Sequence, residues 1–234
     1  MIQSNPLVSV IIPVYNGESY IAEAIKSVLA QTYQAVEIIV VDDDSKDDSA
    51  EVARSFEEVK YIYQVNQGHG QAKNTGIQAA KGFYLAFLDA DDLWEASKLS
   101  LQISVFQNDP QVGYVICEVK NFLDPGTELD SHIKITDFER NFPGYLPSAL
   151  VVSRKTFELV GIFNPRLRDA NDSDWFFRAK DSGIKQAIVN KVLVRRRVHR
   201  SNLSHLRERD SQPVRELMQS VRESVKRKQE NKKG

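Results

Sequence analysis

The first hundred residues of this 234-residue chain alternate between short apolar runs and helix-forming segments. The apolar runs are too short for helices, and the first, VSVIIPVY, is rich in β-branched residues, so they predict buried strands. Strands that are apolar on both faces and alternate with helices are typical of a parallel sheet covered on both sides. We therefore predict an α/β fold with the strands VSVIIPVY, VEIIVVD, VKYIYQ and FYLAFL. The predicted helices between them are YIAEAIKSVLAQ, DSAEVARSF and GQAKNTGIQAAKG, the last of which we expect Gly82 to end. Gly183 is expected to end a later helix, DSDWFFRAKDSG.

Polar residues follow three of these four strands at the point where each strand ends. Tyr15 and Asn16 follow the first strand, residues 42–44 are all aspartate after the second, and Asp89, Asp91 and Asp92 follow the fourth. Parallel open sheets bind ligands at the carboxyl ends of their strands. The sequence therefore predicts a polar crevice at this edge of the sheet.

Charge and cysteine content exclude several classes of protein. The formal net charge is -1, so the overall charge of the chain gives no indication of nucleic-acid binding. With Cys117 as the single cysteine, neither an intramolecular disulfide nor a cysteine zinc site can form, and we expect a buried, inert thiol there. The N-terminus shows no signal-peptide pattern, and no apolar run approaches the roughly 20 residues of a membrane span. We therefore expect a cytoplasmic protein.

The acidic triplet after the fourth strand has two interpretations. Asp89 and Asp91 stand at an i, i+2 spacing on a turn, where their carboxylates can hold one Mg²⁺ or Mn²⁺ ion. Alternatively, Asp91 or Asp92 caps the next helix while Asp89 faces solvent. The residues alone leave both interpretations open.

Two other segments suggest a nucleotide. Asp42 or Asp43 can accept hydrogen bonds from a base or from ribose hydroxyls, although a solvated turn is the alternative. In GHGQAKNTG, two glycines allow close backbone approach and Lys73 lies near a helix start, as phosphate binding requires. The glycine spacing does not match the dinucleotide fingerprint, and there is no Walker A sequence, which argues against a dehydrogenase or a P-loop NTPase.

Five segments, taken together and in this order, carry a resemblance to a known family. They are VSVIIPVYNGESYIAEAIKSVLAQTY, EIIVVDDDSKDDS, NQGHGQAKNTGI, KGFYLAFLDADD and NDSDWFFRA. They resemble the inverting nucleotide-sugar glycosyltransferases of family 2, which have the GT-A fold. The resemblance implies a Rossmann-like, mostly parallel sheet with helices on both faces over residues 1–206, divided into a nucleotide-sugar-binding half (1–95) and an acceptor half (96–206). Residues 207–234 would form a basic amphipathic tail helix.

The resemblance also implies a donor and a metal. The donor would be an NDP-sugar, most often a UDP-sugar in this family, and the cofactor Mn²⁺ or Mg²⁺. Asp89 and Asp91 would form the DxD motif with Asp91 as the direct ligand, and His199 would complete the site, with Arg197 or Arg200 near a phosphate. Lys73 stands where such enzymes often carry arginine, and Asp44 where many carry glycine. The residues implied around the donor are Pro13, Val14, Tyr15, Asn16, Asp42, Asp43, Asp44, Lys73, Asn74, Asp89, Ala90 and Asp91.

Inversion requires one carboxylate to take the proton of the attacking hydroxyl. The family places this base in an acidic pair, usually Glu-Asp, which here reads Asn171-Asp172. The resemblance thus implies Asp172 as base with Asp174 second, while Asp172 as a plain helix cap is the structural alternative. Because Asn171 departs from the family pattern, a non-catalytic module that binds a sugar nucleotide or a partner stays open. A nucleotidyltransferase is the other alternative, but PVYNGESY lacks its basic glycine-rich signature.

The acceptor side is less informative. By resemblance, residues 121–147 lie where the acceptor binds, and glycan, lipid-linked and protein acceptors in polysaccharide or glycoconjugate synthesis all remain open. Trp175 is interpreted as packing, and His69, His132 and His205 are weaker site candidates than His199. The tail is expected to pack on its own domain, with a homodimer contact or peripheral contact with an anionic membrane as alternatives.

Overall fold

The structure of the chain is a computed structural model that describes residues 5–127, 136–167 and 170–199. The predicted tail helix, Arg200, His132 and His205 lie outside these residues. The strands are β1 (Val8–Val14), β2 (Val36–Asp42), β3 (Val59–Tyr63), β4 (Tyr84–Phe87), β5 (Leu93–Trp94), β6 (Tyr114–Leu123), β7 (Asn141–Pro143), β8 (Val151–Ser153) and β9 (Gln186–Val198). The helices are α1 (Ile21–Leu29), α2 (Ser49–Arg54), α3 (His69–Ala79), α4 (Lys98–Asn108), α5 (Thr136–Glu139), α6 (Arg154–Val160) and α7 (Asn171–Asp181).

The described strands form one sheet in the order β3-β2-β1-β4-β8-β6-β9-β5, with β7 paired to β6. The first four of these strands run parallel, as the alternating pattern predicts. β8 is antiparallel to both β4 and β6, whereas β6 and β9 pair in parallel over their length. The fold is therefore the predicted α/β class, with a mostly parallel half followed by a mixed half.

Helices cover both faces of this sheet. β1 shows why, because Val10 and Ile12 point to one apolar cluster while Ile11 points to another. The first cluster contains side chains of α1, α2 and α4, and the second contains side chains of α3, α6 and α7. A strand whose residues are buried on both faces must be apolar throughout, which is the pattern that the sequence shows.

Of the two glycines expected to end helices, one does so. Gly183 follows α7 in the left-handed region (φ 70°), and its N–H bonds to the Lys180 carbonyl, which is the predicted C-terminal cap. The prediction that Gly82 ends α3 was wrong, because that helix stops at Ala79. Gly82 is instead a position of close approach: a Cβ there would lie 2.5 Å from the backbone nitrogen of Ser9.

The single cysteine is buried in β6, as expected. Burial raises the pKa of the Cys117 thiol to about 11, so it is protonated and unreactive at neutral pH. Across the described ranges, the helices are too short or too polar for any of them to cross a bilayer.

Candidate active site

The carboxyl ends of β1, β2 and β4 meet at one edge of the sheet. Val14 pairs with Asp42, and the N–H of Asp43 donates to the Val14 carbonyl at 2.9 Å. On the other side of β1, the N–H of Leu88 donates to the Ile11 carbonyl at 3.0 Å. The three polar strand ends therefore lie side by side, as the sequence predicts.

The predicted base- and ribose-binding acids, Asp42 and Asp43, are almost fully buried. Asp42 accepts hydrogen bonds from the Tyr61 hydroxyl (2.6 Å) and the Ser45 N–H (2.8 Å). Burial, and to a smaller extent the hydrogen bond to Asp42, raises the pKa of Tyr61 to about 12. Asp43 accepts from the Gly68 N–H at 2.8 Å and thereby fixes the loop that leads into α3. Both carboxylates hold loops of the crevice in place, and their contact with a nucleotide stays a prediction.

The turns at this edge use two unusual backbone conformations. Asn16 (φ 51°) and Asp44 (φ 73°) both adopt the left-handed region, which explains why glycine is common at the position of Asp44. Hydrogen bonds from Lys46 and Tyr63 hold the Asp44 carboxylate in its charged form and lower its pKa. The Tyr15 side chain beside them is 55% exposed and accessible to a ligand.

The remaining predicted donor residues present less side chain to the crevice. Pro13 and Val14 are buried in β1, so only their backbone can face a ligand, and Ala90 is half-buried. Asn74 is buried, and its amide makes two hydrogen bonds to the backbone of Phe163, at 2.8 and 3.0 Å. Asn74 therefore anchors the segment before α7, and a donor contact would require one of these bonds to break.

The three acids after β4 have three different environments. The Asp89 carboxylate lies 3.1 Å from His69 Nε2, and that of Asp91 lies 3.0 Å from His199 Nε2. Although burial opposes it, the proximity of His69 and Lys73 lowers the pKa of Asp89. Each of the two predicted metal ligands therefore faces a histidine. From the sequence, His69 is a weaker site candidate than His199. Its contact with Asp89 could not be predicted, because the two residues are far apart in the sequence.

Asp92 does not cap the next helix, because α4 begins only at Lys98. Its buried carboxylate accepts hydrogen bonds from the Ser148 hydroxyl (2.7 Å) and the Arg197 N–H (3.1 Å). Burial and the neighbouring acids Asp91 and Asp89 raise its pKa well above the usual value. Asp92 is therefore a structural acid that ties the turn to β9.

The Arg197 side chain bonds to three groups of the protein, and its contact with a phosphate stays a prediction. Its Nε donates to the Asp91 carbonyl at 3.0 Å, and its two terminal nitrogens contact Asp124 (2.7 Å) and Glu23 (2.5 Å). Two residues on, His199 stacks at a tilt on Tyr20, with 4.6 Å between ring centroids. The end of β9 therefore holds the turn that contains Asp91 and Asp92 through both the backbone and the side chain of Arg197.

The described residues contain no group of three or more His, Cys, Asp or Glu side chains arranged around a common point for a metal. That arrangement is not required for a magnesium-type ion, which is usually held by one or two carboxylates while phosphate oxygens and water complete its shell. The oxygen donors of Asp89 and Asp91 are the type that Mg²⁺ and Mn²⁺ prefer, and His199 is a compatible third ligand. The residues present therefore fit such an ion.

The two candidate bases differ sharply in surroundings. Asp172 forms an ion pair with the fully buried Lys73, yet a quarter of its side chain is exposed. Asp174 is buried and pairs with Arg178 Nε at 2.8 Å, one helical turn away. Because Asp172 alone combines a charged carboxylate with access to solvent, it is the better placed of the two to receive a proton. It lies inside α7, whose cap position is Ala170, so the plain capping interpretation is wrong.

The fold and the polar edge define a GT-A type protein. The family model described as "Glycosyl transferase family 2" matches residues 9–174. An uncharacterized glycosyltransferase of Rickettsia typhi is 36% identical over 208 residues, or 83% of this chain. The chondroitin synthase of Escherichia coli is 30% identical over 213 residues, or 85% of this chain. The chain therefore belongs to glycosyl transferase family 2.

Relatives and solved structures are longer than this chain. The chain spans 65% of the Rickettsia protein and 30% of the chondroitin synthase. The crystal structure of S. aureus TarS 1-349 in complex with UDP superposes with a TM-score of 0.70 at 19% identity, covering 92% of this chain and 64% of that one. The mannosyltransferase PcManGT from Pyrobaculum calidifontis, in complex with GDP-Man and Mn²⁺, gives 0.65 at 23% identity, covering 82% and 57%. At these identities the likeness establishes the fold.

Proposed function

We propose that this chain transfers a sugar, with inversion, from a nucleoside diphosphate sugar to a hydroxyl group of an acceptor, and that a divalent metal assists. One observation carries the proposal: a single face of α3 contacts both predicted centres. His69 lies against Asp89, and Lys73, four residues on, pairs with Asp172. Residues at this spacing stand one turn apart, a rise of about 6 Å, so the acidic turn and the base face one crevice.

The donor we propose is a UDP-sugar. TarS, whose structure has been solved with UDP and with UDP-GlcNAc, covers over nine tenths of this chain. PcManGT, solved with GDP-Man, makes a guanine nucleotide the alternative to test. Tyr15 would lie against the base, and the buried acids Asp42 and Asp43 would keep the loops around the base and ribose in place.

Asp89 and Asp91 would hold the metal, with His199 as third ligand. When bound, the ion would neutralise the negative charge that develops on the leaving diphosphate. The position of His199 supports this assignment, because its Nε2 lies 3.0 Å from the Asp91 carboxylate. Arg197 would orient the turn, since its Nε bonds to the Asp91 carbonyl.

Asp172 would act as the general base. An ion pair with Lys73 requires the Asp172 carboxylate to be ionised, which is the state that accepts a proton. A single displacement inverts the anomeric carbon: the acceptor oxygen bonds to that carbon as the bond to the diphosphate oxygen breaks, and the hydroxyl proton passes to Asp172. The candidate acceptors are glycans, lipid-linked glycans and proteins in polysaccharide or glycoconjugate synthesis.

The test compares Asp172→Asn with a matched control, Asp48→Asn, which removes an exposed carboxylate near the same edge. We expect Asp172→Asn to bind UDP-sugar like the wild type and to lose at least about 100-fold in transfer, since general-base catalysis is worth that much. Nucleotide release and the anomeric configuration of the product, followed by NMR, measure both. Full transfer by Asp172→Asn contradicts the assignment. Donor binding without any turnover in the wild type would instead favour the non-catalytic module.

A further inference from the structure

Tyr20, at the N-cap position of α1, places its ring against two side chains at the end of β9. The ring stacks at a tilt on the His199 imidazole, with 4.6 Å between centroids and an interplanar angle of 33°. The Arg197 guanidinium lies 4.9 Å from the centre of the same ring. Alternate residues of an extended chain point to the same side, so one ring can contact both. Tyr20 therefore contacts the residue that would be the third metal ligand.

The far end of the Tyr20 ring is held by an acid from a third element. Its hydroxyl donates to one carboxylate oxygen of Asp124 at 3.2 Å, and the other oxygen accepts from Arg197 Nη1 at 2.7 Å. Asp124 is itself tied to β9, because its N–H donates to the Val198 carbonyl at 3.0 Å. Turning the ring away from His199 would break the bond between the Tyr20 hydroxyl and Asp124.

The two β9 side chains that contact Tyr20 both contact Asp91 as well. Arg197 Nε donates to the Asp91 carbonyl at 3.0 Å, and His199 Nε2 lies 3.0 Å from the Asp91 carboxylate. The angle of 33° between the rings means that Tyr20 covers the face of the imidazole more than its edge. The ring nitrogens lie in that edge. The stacking therefore fixes the plane of the imidazole and leaves Nε2 directed at Asp91.

We propose, resting on the proposed function, that Tyr20 is a positioning residue for the metal site: it holds the His199 imidazole toward Asp91, and Asp124 holds Tyr20. An imidazole binds a metal through a lone pair in the plane of its ring, so the direction of that plane decides whether it can share an ion with a neighbouring carboxylate. Removing such an outer partner of a metal ligand typically weakens metal binding by about 10- to 100-fold.

The test measures metal affinity directly, without turnover. The full chain is titrated with Mn²⁺ in the presence of UDP, and free Mn²⁺ is followed by electron paramagnetic resonance. Tyr20→Leu removes the ring, whereas Tyr20→Phe keeps the ring and removes its hydroxyl. The matched control is Tyr33→Leu, which removes a buried ring beyond the other end of α1, where the hydroxyl donates to the Pro6 carbonyl at 2.6 Å.

We expect Tyr20→Leu to weaken Mn²⁺ binding about tenfold and Tyr20→Phe to weaken it less than about threefold, since the phenyl ring still stacks. Tyr33→Leu should lower stability but leave Mn²⁺ affinity per folded molecule unchanged. In a His199→Asn background, Tyr20→Leu should cause no further loss, because Tyr20 acts through His199. Unchanged affinity in Tyr20→Leu, or an equal further loss on top of His199→Asn, overturns the proposal.

A second measurement needs only the folded, metal-free wild type. Stacking on Tyr20 should shift the imidazole C–H resonances of His199 upfield, and His199→Asn identifies them by their disappearance from the NMR spectrum. Resonances at the positions of an exposed histidine overturn the proposal even if Tyr20→Leu does not fold. Absence of Mn²⁺ binding by the wild type with UDP is a different result, which refutes the proposed function and this inference with it.

Discussion

Lys73 and Asp172 form an ion pair across 99 residues of sequence and join α3 to α7. The lysine side chain is fully buried, and its ammonium also lies 4.3 Å from the centre of the Phe163 ring. A buried ammonium without a counter-charge is costly, so this contact fixes how α7 packs against α3. The same contact sets the position of the proposed base.

The energetic link between these two residues can be measured directly. We expect Lys73→Met to lower the free energy of unfolding by about 1–3 kcal/mol, because it removes one partner of a partly buried ion pair. The double variant Lys73→Met/Asp172→Asn should lose less than the sum of the two single variants, with a coupling of about 1 kcal/mol or more. Urea unfolding of the four proteins provides the cycle. Strict additivity would show that the pair contributes nothing to docking.

Asp174 should matter for stability rather than for chemistry. Its buried carboxylate pairs with Arg178, whose terminal nitrogens also donate to the carbonyls of Val160 and Ile162 at the end of α6. We expect Asp174→Asn to cost about 1–3 kcal/mol of unfolding free energy. Transfer per folded molecule should stay near that of the wild type. Loss of transfer with unchanged stability would identify Asp174, not Asp172, as the base.

The buried Lys98 should make the free energy of unfolding depend on pH in the alkaline range. Lys98 lies against the Trp94 ring at 3.9 Å, and burial lowers the pKa of its ammonium to about 8 from an ordinary 10.5. Because the unfolded state then binds more protons between pH 8 and 10.5, this group makes stability rise with pH across that window. Below pH 8 the penalty is complete, about 3 kcal/mol at most before the aromatic contact offsets part of it.

Lys98→Met removes the charge and keeps much of the volume. We expect the variant to be about 1–2 kcal/mol more stable than the wild type at pH 7, and the difference to shrink toward pH 10. Chemical unfolding at several pH values provides the two curves, and their difference cancels the titration of the tyrosines. A difference that is constant with pH would show that the lysine keeps its ordinary pKa in the fold.

The parallel part of the sheet was predictable because its signals are local. The apolar runs of β1, β2 and β4 identify buried strands, and parallel topology alone brings their polar ends together. The buried environment of Cys117 and the capping role of Gly183 likewise follow from neighbours in the sequence. These features depend on a few adjacent residues and so appear in a single chain without any alignment.

The connections between the halves were not predictable, because they join residues far apart. Asp92 meets the Arg197 backbone across 105 residues, and His69 meets Asp89 only after α3 packs on the sheet. Asn74, whose contact with the donor stays a prediction, also bonds to the backbone of Phe163, 89 residues away in the sequence. Gly82 looked like a helix stop, but its role depends on Ser9, which is distant in sequence. Nothing in the local pattern encodes such pairings.

The measurement that tests the central claim most directly is calorimetric titration of UDP, GDP and dTDP into the wild type and Asp91→Asn, each with Mn²⁺ and with chelator. We predict that one nucleotide, UDP, binds the wild type in the presence of Mn²⁺, and that chelator or Asp91→Asn weakens binding at least tenfold, because Asp91 would contribute a charged ligand. Binding that is equally tight with chelator and in Asp91→Asn would contradict the metal assignment. Binding of none of the three nucleotides would contradict the sugar-nucleotide site as a whole.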